Sequence, residues 1–165
     1  MNIIELLQTI AEDFEKCKIS YCIVGGQSLR LYNYIRATND IDILVSKESF
    51  YRIEECLIGR GYTLRPGSNR NLYIILNDGR YPIDVLVEGD IEGSFTLPNP
   101  KGIRNRYEKI WWVSLSKLVE FKLQAGRKQD LVDVCNLIIE NNLPLEFSDS
   151  LEHKKLLYKQ IWHET

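Results

Sequence analysis

The chain has 165 residues, 44% of them hydrophobic and 27% charged, with a formal net charge of −2. That make-up suits one globular domain able to bury about two-thirds of its unfolded surface, and it excludes general nucleic-acid coating. No apolar run approaches the roughly 20 residues that cross a bilayer, so no membrane partner is expected. The start, MNIIELLQTIAEDFEK, is acidic and amphipathic where a secretory signal would be basic, which predicts a cytoplasmic protein. With only two histidines, a His-based metal site or a Ser-His-Asp triad is excluded. Cys17, Cys22, Cys56 and Cys135 show no CxxC spacing and stand in apolar surroundings. They are expected to be reduced core thiols, neither a disulfide framework nor a zinc site.

Along the chain, Ile3, Leu6, Leu7, Ile10, Ala11 and Phe14 recur at helical spacing and predict a helix over 3–16. Tyr21 to Val24 reads as a short strand ending at Gly25-Gly26, with a helix over roughly 26–34 after it. Asp40 to Val45 alternates Asp40, Asp42 and Leu44 with Ile41, Ile43 and Val45, a strand pattern. Ser46 is the expected N-cap of a helix carrying Phe50, Ile53 and Leu57 and stopping at Gly59 or Gly61. Strands follow over 62–65, 72–77 and 81–87, separated by Pro66-Gly67-Ser68-Asn69 and by Asn77-Asp78-Gly79, the latter a hairpin signal. Residues 88–103 read as a loop. Trp111-Trp112-Val113 then precedes helices over 115–126, 128–141 and about 150–163. The order predicts one mixed α/β (α+β) domain over 1–165, with a core over about 1–100 and a helical C-terminal part over about 104–165.

Charge is unevenly spread. Residues 1–59 hold 6 Lys and Arg against 9 Asp and Glu, residues 60–128 hold 12 against 7, and residues 129–165 hold 3 against 7. A positive middle in an acidic chain suits a polyanion such as a nucleoside triphosphate or an RNA end, and equally an ordinary solvated surface.

The chemistry-bearing residues are carboxylates. Asp40 and Asp42, two apart on a strand, project from one face about 6–7 Å apart, and two such groups repel unless a cation lies between them. Mg²⁺ (or Mn²⁺) takes a few carboxylates together with phosphate oxygens and water. A bare DxD is also what a solvated outer strand shows, although IDILV looks central. Asp84, in Tyr81-Pro82-Ile83-Asp84-Val85, needs a partner in its apolar strand. If that strand lies beside the first, three carboxylates converge as a metal site that could also take a proton from an acceptor hydroxyl. Gly25-Gly26-Gln27-Ser28, between strand and helix, is either a phosphate-approach turn or merely a tight connection.

Lys122 falls on the apolar stripe of Leu118 and Val119, either snorkelling outward or directed inward at a triphosphate. Arg127, Asp130 and Asp133 are expected to pair within their own helix. Trp111, Trp112 and Tyr107, beside Arg104 and Arg106, either stack on an RNA end or pack, with packing favoured.

Taken together, Val24-Gly25-Gly26-Gln27-Ser28, Arg36-Ala37-Thr38-Asn39-Asp40-Ile41-Asp42-Ile43 and Ile83-Asp84-Val85 resemble the nucleotidyltransferase superfamily. The closest-looking branch is the small one with a GG…RxTxDIDI signature, which includes abortive-infection toxin-type enzymes. Ser114-Leu115, Lys122-Leu123 and Ala125-Gly126-Arg127-Lys128-Gln129-Asp130-Leu131-Val132-Asp133 extend the likeness over roughly 20–140.

The resemblance implies a mixed sheet flanked by helices and metal-dependent transfer of a nucleoside monophosphate from ATP, CTP or GTP to a hydroxyl. It makes Asp40, Asp42 and Asp84 the catalytic metal ligands for Mg²⁺ or Mn²⁺. The nucleotide-binding set becomes Gly25, Gly26, Gln27, Ser28, Arg36, Thr38 and Lys122, with no individual role for Gln27. Within it Thr38 can also brace the start of the strand, and Arg36 can pair with an acid. Asn33 stands where many members carry Gly, and Asn tolerates a left-handed backbone. The acceptor stays open among an RNA end such as tRNA, a protein and a small molecule. The alternative is a non-catalytic nucleotide-binding or toxin–antitoxin module of the same fold, with an antitoxin as partner.

Overall fold

The computed structural model describes residues 2–67, 72–77, 81–91 and 95–165. They form two compact units, Met1–Gln27 with Thr38–Val113, and Ser28–Ala37 with Ser114–Thr165. The first unit opens with helix α1, Ile3–Lys16. Its start is fixed by a capping box: Asn2 accepts from the Glu5 N–H at 2.9 Å and Glu5 accepts from the Asn2 N–H at 3.0 Å. Leu6, Leu7, Ile10, Ala11 and Phe14 are buried along one face, and burying each large one is worth about 1.5–3 kcal/mol.

The sheet strands are β1 (Tyr21–Val24), β2 (Ile41–Val45), β3 (Tyr62–Pro66), β4 (Leu72–Asn77) and β5 (Tyr81–Val87). After β5 come a short pair, β6 (Gly89–Asp90) with β7 (Thr96–Leu97), and then β8 (Arg104–Tyr107) and β9 (Ile110–Val113). Seven of them make one mixed sheet in the order β3-β4-β5-β2-β1-β9-β8. β2 is central: it runs antiparallel to β1 with Ile23 opposite Ile43, and parallel to β5 with Ile43 opposite Val85. Ile23, Ile41, Ile43, Val45, Ile83 and Val85 are buried on one face. Phe14 of α1 meets Tyr21 edge-on on that face, with ring centres 5.5 Å apart, and Tyr62 of β3 donates to Asp13 at 2.7 Å.

Several expectations needed correction. Cys17 and Cys56 are joined in a disulfide, with Cα atoms 5.6 Å apart, and only Cys22 and Cys135 are free. The bond ties the end of α1 to the segment after β2, where reduced core thiols were expected. The helix after Ser46 is irregular: Ser46 accepts from the Ser49 N–H at 3.2 Å, as a cap should, but the chain then turns and ends in a π-helix over Ile53–Leu57. The loop expected over 88–103 contains the β6–β7 pair and a 3-10 turn over Pro100–Gly102. Strand β8 was missed because Arg104-Asn105-Arg106-Tyr107 has no apolar face. It is an edge strand, joined to β9 through Glu108 and Lys109 at φ 48° and 66°. The turn residues 68–69 and 78–79 lie outside the described residues, although β4 and β5 pair antiparallel as a hairpin would.

The second unit holds a 3-10 turn over Leu29–Tyr32 closed by Asn33 at φ 62°, the left-handed conformation expected where Asn replaces Gly. Helices α3 (Leu115–Ala125) and α4 (Lys128–Glu140) follow the boundaries read from the sequence closely, whereas α5 (Lys155–Glu164) begins about five residues later than expected, after a 3-10 stretch over Leu145–Ser150. A short helix α2, Gly25–Ser28, leads from β1 into the 3-10 turn. Glu120 of α3 is 2% exposed and does two jobs. One carboxylate oxygen accepts from Lys117 at 2.8 Å, and the other accepts from the N–H groups of Glu152 and His153 at 2.7 and 2.6 Å, anchoring the start of α5. Among the described residues, no helix is long and apolar enough to cross a membrane.

Candidate active site

The parallel register of β2 and β5 sets Asp42 directly opposite Asp84. Neighbouring strands lie about 4.8 Å apart and in-register side chains share a face, so both carboxylates rise from the side opposite Ile41, Ile43 and Val85. Asp40, two residues before Asp42 and just outside the strand, is exposed. The condition set for Asp84 is therefore met. Burial, and then the negative charge of Asp40, push the Asp84 carboxyl above the usual carboxylate range. Leu44 and Cys22, on the same face further along, are buried, so this is not the solvated face of an outer strand.

The Gly-Gly turn touches this group. Gly25 has φ +65°, and a Cβ placed on it would overlap Asp42 Oδ2 and lie 2.9 Å from the Asp42 carboxyl carbon. A Cβ on Gly26 would lie 3.1 Å from Thr38 Oγ1. The glycines are thus demanded by how closely the turn approaches Asp42 and Thr38. Gln27 is 2% exposed, and its side-chain amide donates to the Thr38 and Asp40 carbonyls at 3.3 and 3.4 Å. Sequence reasoning assigned it no role, since nothing local announces a side chain that bonds backbone eleven and thirteen residues on. Ser28, completely buried, follows in the second unit.

The fit to a divalent cation rests on the donor set. Three carboxylates are hard oxygen donors of the kind Mg²⁺ takes, and Asp84, raised first by burial and then by the Asp40 charge, is a carboxylate whose charged form a cation would favour. As they stand, among the described residues, no three His, Cys, Asp or Glu side chains are gathered closely enough to hold a metal ion.

The second unit contains a buried ion cluster. Asp133, with no exposed surface, accepts from Arg36 Nε and Nη2 at 2.8 and 2.9 Å, from Lys122 Nζ at 2.7 Å and from Gln129 at 3.0 Å. Asp130, 1% exposed, accepts from Lys122 Nζ at 3.3 Å and from Arg127 Nε at 2.7 Å. Burial alone would push both carboxyls up. The hydrogen bonds of Arg36, Lys122 and Gln129 and the charge of Lys122 at Asp133, and the hydrogen bonds and positive charges of Arg127 and Lys122 at Asp130, outweigh it and hold them below the usual range.

Arg127 and Asp130 pair three apart as expected. Asp133 does not pair only within its helix, because its principal partner, Arg36, comes from 97 residues away. Lys122 is buried, but its ammonium has two carboxylates of its own. It is directed inward, onto Asp130 and Asp133.

Of the aromatic group only Trp112 packs inside, while Tyr107 is exposed. Trp112 is 3% exposed and its indole N–H donates to the Tyr107 carbonyl at 3.2 Å. Trp111 lies under the guanidinium groups of Arg104 and Arg106, at 4.0 and 5.3 Å.

No protein-family model and no curated protein matches the chain. Solved structures do. The lincosamide antibiotic adenylyltransferase LnuA, lincomycin-bound, is 20% identical with a TM-score of 0.57, over 83% of this chain and 96% of its own. ANT(2″)-Ia, in complex with adenylyl-2″-tobramycin, is 12% identical with a TM-score of 0.63, over 98% and 97%. A candidate nucleotidyltransferase from Thermotoga maritima is 18% identical with a TM-score of 0.57, over 83% and 92%. At such identities the likeness is one of fold, and the chain is built on the nucleotidyltransferase fold.

Proposed function

We propose that the chain is a metal-dependent nucleotidyltransferase, moving a nucleoside monophosphate from an NTP to a hydroxyl acceptor with release of pyrophosphate. The observation that carries this is the register of Asp42 against Asp84, with Asp40 two residues earlier and Gly25 pressed against Asp42. Asp40 and Asp42 would hold Mg²⁺, with Asp84 the third ligand. When bound, the ion supplies positive charge that neutralises the phosphates. The acceptor oxygen attacks the α-phosphorus in line, the bond from that phosphorus to the bridging oxygen breaks, and pyrophosphate leaves. Asp84, in register beside Asp42, is the carboxylate that would take the acceptor proton. Gly25 and Gly26 present backbone without side chains beside these acids, which favours close approach of a triphosphate.

The test is incubation with NTPs labelled at the α-phosphorus, Mg²⁺ or Mn²⁺ and an acceptor panel. Lincomycin and tobramycin, named with two of the fold's solved structures, head that panel, followed by tRNA and proteins. Labelled acceptor with stoichiometric pyrophosphate is expected, and Asp42→Ala should abolish both. No transfer, no pyrophosphate and no metal-dependent NTP binding would overturn the assignment.

A further inference from the structure

Asp40 poses a mechanical problem. The backbone ladder between β1 and β2 ends at Val24 opposite Asp42, because the chain leaves the sheet at Gly25, with φ +65°. Residues 38–40 belong to no strand, and Asp40 is exposed. A metal ligand on such a segment would wander relative to Asp42 and Asp84, which the sheet holds in register.

Gln27 supplies what the missing strand does not. Its side chain is 2% exposed, and its Nε2 reaches the carbonyls of Thr38 and Asp40 at 3.3 and 3.4 Å. The two acceptors are alternate residues of the segment that leads into β2, and both carbonyls lie within reach of the one amide nitrogen. One amide with two hydrogens can serve both. The side chain thus continues by two rungs the ladder that β1 abandons at Gly25. The Thr38 side chain also lies close by Gly26, where an added Cβ would come within 3.1 Å of it.

We infer that Gln27 is a positioning residue, bracing the 38–40 segment so that the Asp40 carboxylate stays aligned with Asp42 and Asp84. This rests on the nucleotidyltransferase reading and adds to it a division of labour within the GGQS turn. The two glycines make room for Asp42 and Thr38, and Gln27 fixes Asp40 without touching the nucleotide.

The test uses Gln27→Met, which keeps the side chain's length and removes both donors, in the full chain. Outer partners of metal ligands typically contribute about 10–100-fold to metal affinity or activity. Mn²⁺ affinity measured by electron paramagnetic resonance should therefore weaken about tenfold or more, with kcat falling in step and the KM for NTP nearly unchanged. A raised KM with intact Mn²⁺ affinity would make Gln27 a nucleotide contact and overturn the inference, as would no change in either. Hydrogen exchange reads the brace without metal or substrate. Amides of residues 38–42 should exchange about tenfold faster in Gln27→Met while those of 21–24 keep their rates, and equal rates in both proteins would overturn the inference. That measurement stays decisive if the wild-type chain binds no Mn²⁺ and transfers nothing, a result that overturns the parent reading alone. Should Gln27→Met fail to fold, Gln27→Asn, whose amide is one methylene short of both carbonyls, is read by the same criteria.

Discussion

Gly25 and Asp42 are packed so closely that a single methyl group on residue 25 would collide with the Asp42 carboxylate, lying 2.9 Å from its carboxyl carbon. Gly25→Ala therefore suffers twice. Its φ of +65° costs an L-residue about 1–2 kcal/mol, and the new Cβ must displace a proposed metal ligand. A fall in melting temperature of roughly 2–8 °C is expected from the backbone term in a chain of this size, together with loss of nucleotidyl transfer. Gly26→Ala meets Thr38 first, whose Cγ2 would lie 3.2 Å from the added carbon. Adding Thr38→Ser, which removes that methyl, should recover part of the loss. Thermal melts and transfer assays on the three variants check the ranking.

Asp84 should trade stability for function. Its carboxyl is raised by burial and by Asp40, so its folded value lies above the unfolded value of about 3.9. A group shifted this way costs no stability below the unfolded value, and its cost grows as the pH rises through the folded value. Asp84→Asn removes that cost. The variant should be at least as stable as wild type at pH 7, with the gap closing toward pH 4. Transfer should fall by more than the roughly 10–100-fold expected of a mere outer partner. Urea midpoints at the two pH values check the first half. A variant less stable at pH 7 than wild type would contradict it.

The ion cluster works in the opposite sense. Asp130 and Asp133 are held below the usual carboxylate range, so the stability they supply is complete above about pH 4, the unfolded value. It is lost as the pH falls through their lower folded values. Asp133→Asn leaves Arg36 and Lys122 without their shared anion, and removing one partner of a buried pair costs about 3–5 kcal/mol. Lys122→Met should destabilise less, because Arg36 and Arg127 still neutralise the two acids, and it should leave the KM for NTP nearly unchanged. Denaturant titrations at pH 7 and pH 3, with NTP kinetics on Lys122→Met, check this. A several-fold rise in KM without a stability change would return Lys122 to the phosphates.

What could be read from the chain depended on whether the signal was local. The alternation in Asp40–Val45 and Ile83–Val87 placed the acids on one face, and the structure adds the parallel register that brings Asp42 opposite Asp84. The α-helices α1, α3 and α4 were legible because their apolar stripes repeat over several turns. β8 was not, since an edge strand of Arg104-Asn105-Arg106-Tyr107 buries too little to show a period. Non-local partners were the common blind spot. Helical spacing explained Asp130 through Arg127, while Asp133 found Arg36 across 97 residues. Gln27 bonds carbonyls beyond the 3-10 turn, and Cys17 finds Cys56 at a sequence separation of 39, and no motif spacing marks either.

The disulfide gives the last prediction. Closing a loop of that length, a sequence separation of 39, removes unfolded-chain entropy worth about 4 kcal/mol in the loop-closure model. It also joins the end of α1, whose Leu7, Ile10 and Phe14 are fully buried, to a π-helix that carries buried Ile53 and Leu57. The contribution of the bond should therefore be large against the stability of an ordinary domain, about 5–15 kcal/mol. Thiol titration of the denatured, unreduced chain should find two reactive cysteines of the four. Reductant or Cys56→Ser should lower the melting temperature by roughly 8–16 °C, at about 2–4 °C per kcal/mol. Neither should move the Mn²⁺ affinity, because both cysteines lie outside the turn and strands that carry Asp40, Asp42 and Asp84. Four reactive thiols together with a melt insensitive to reductant would show that the pair is not bonded in solution.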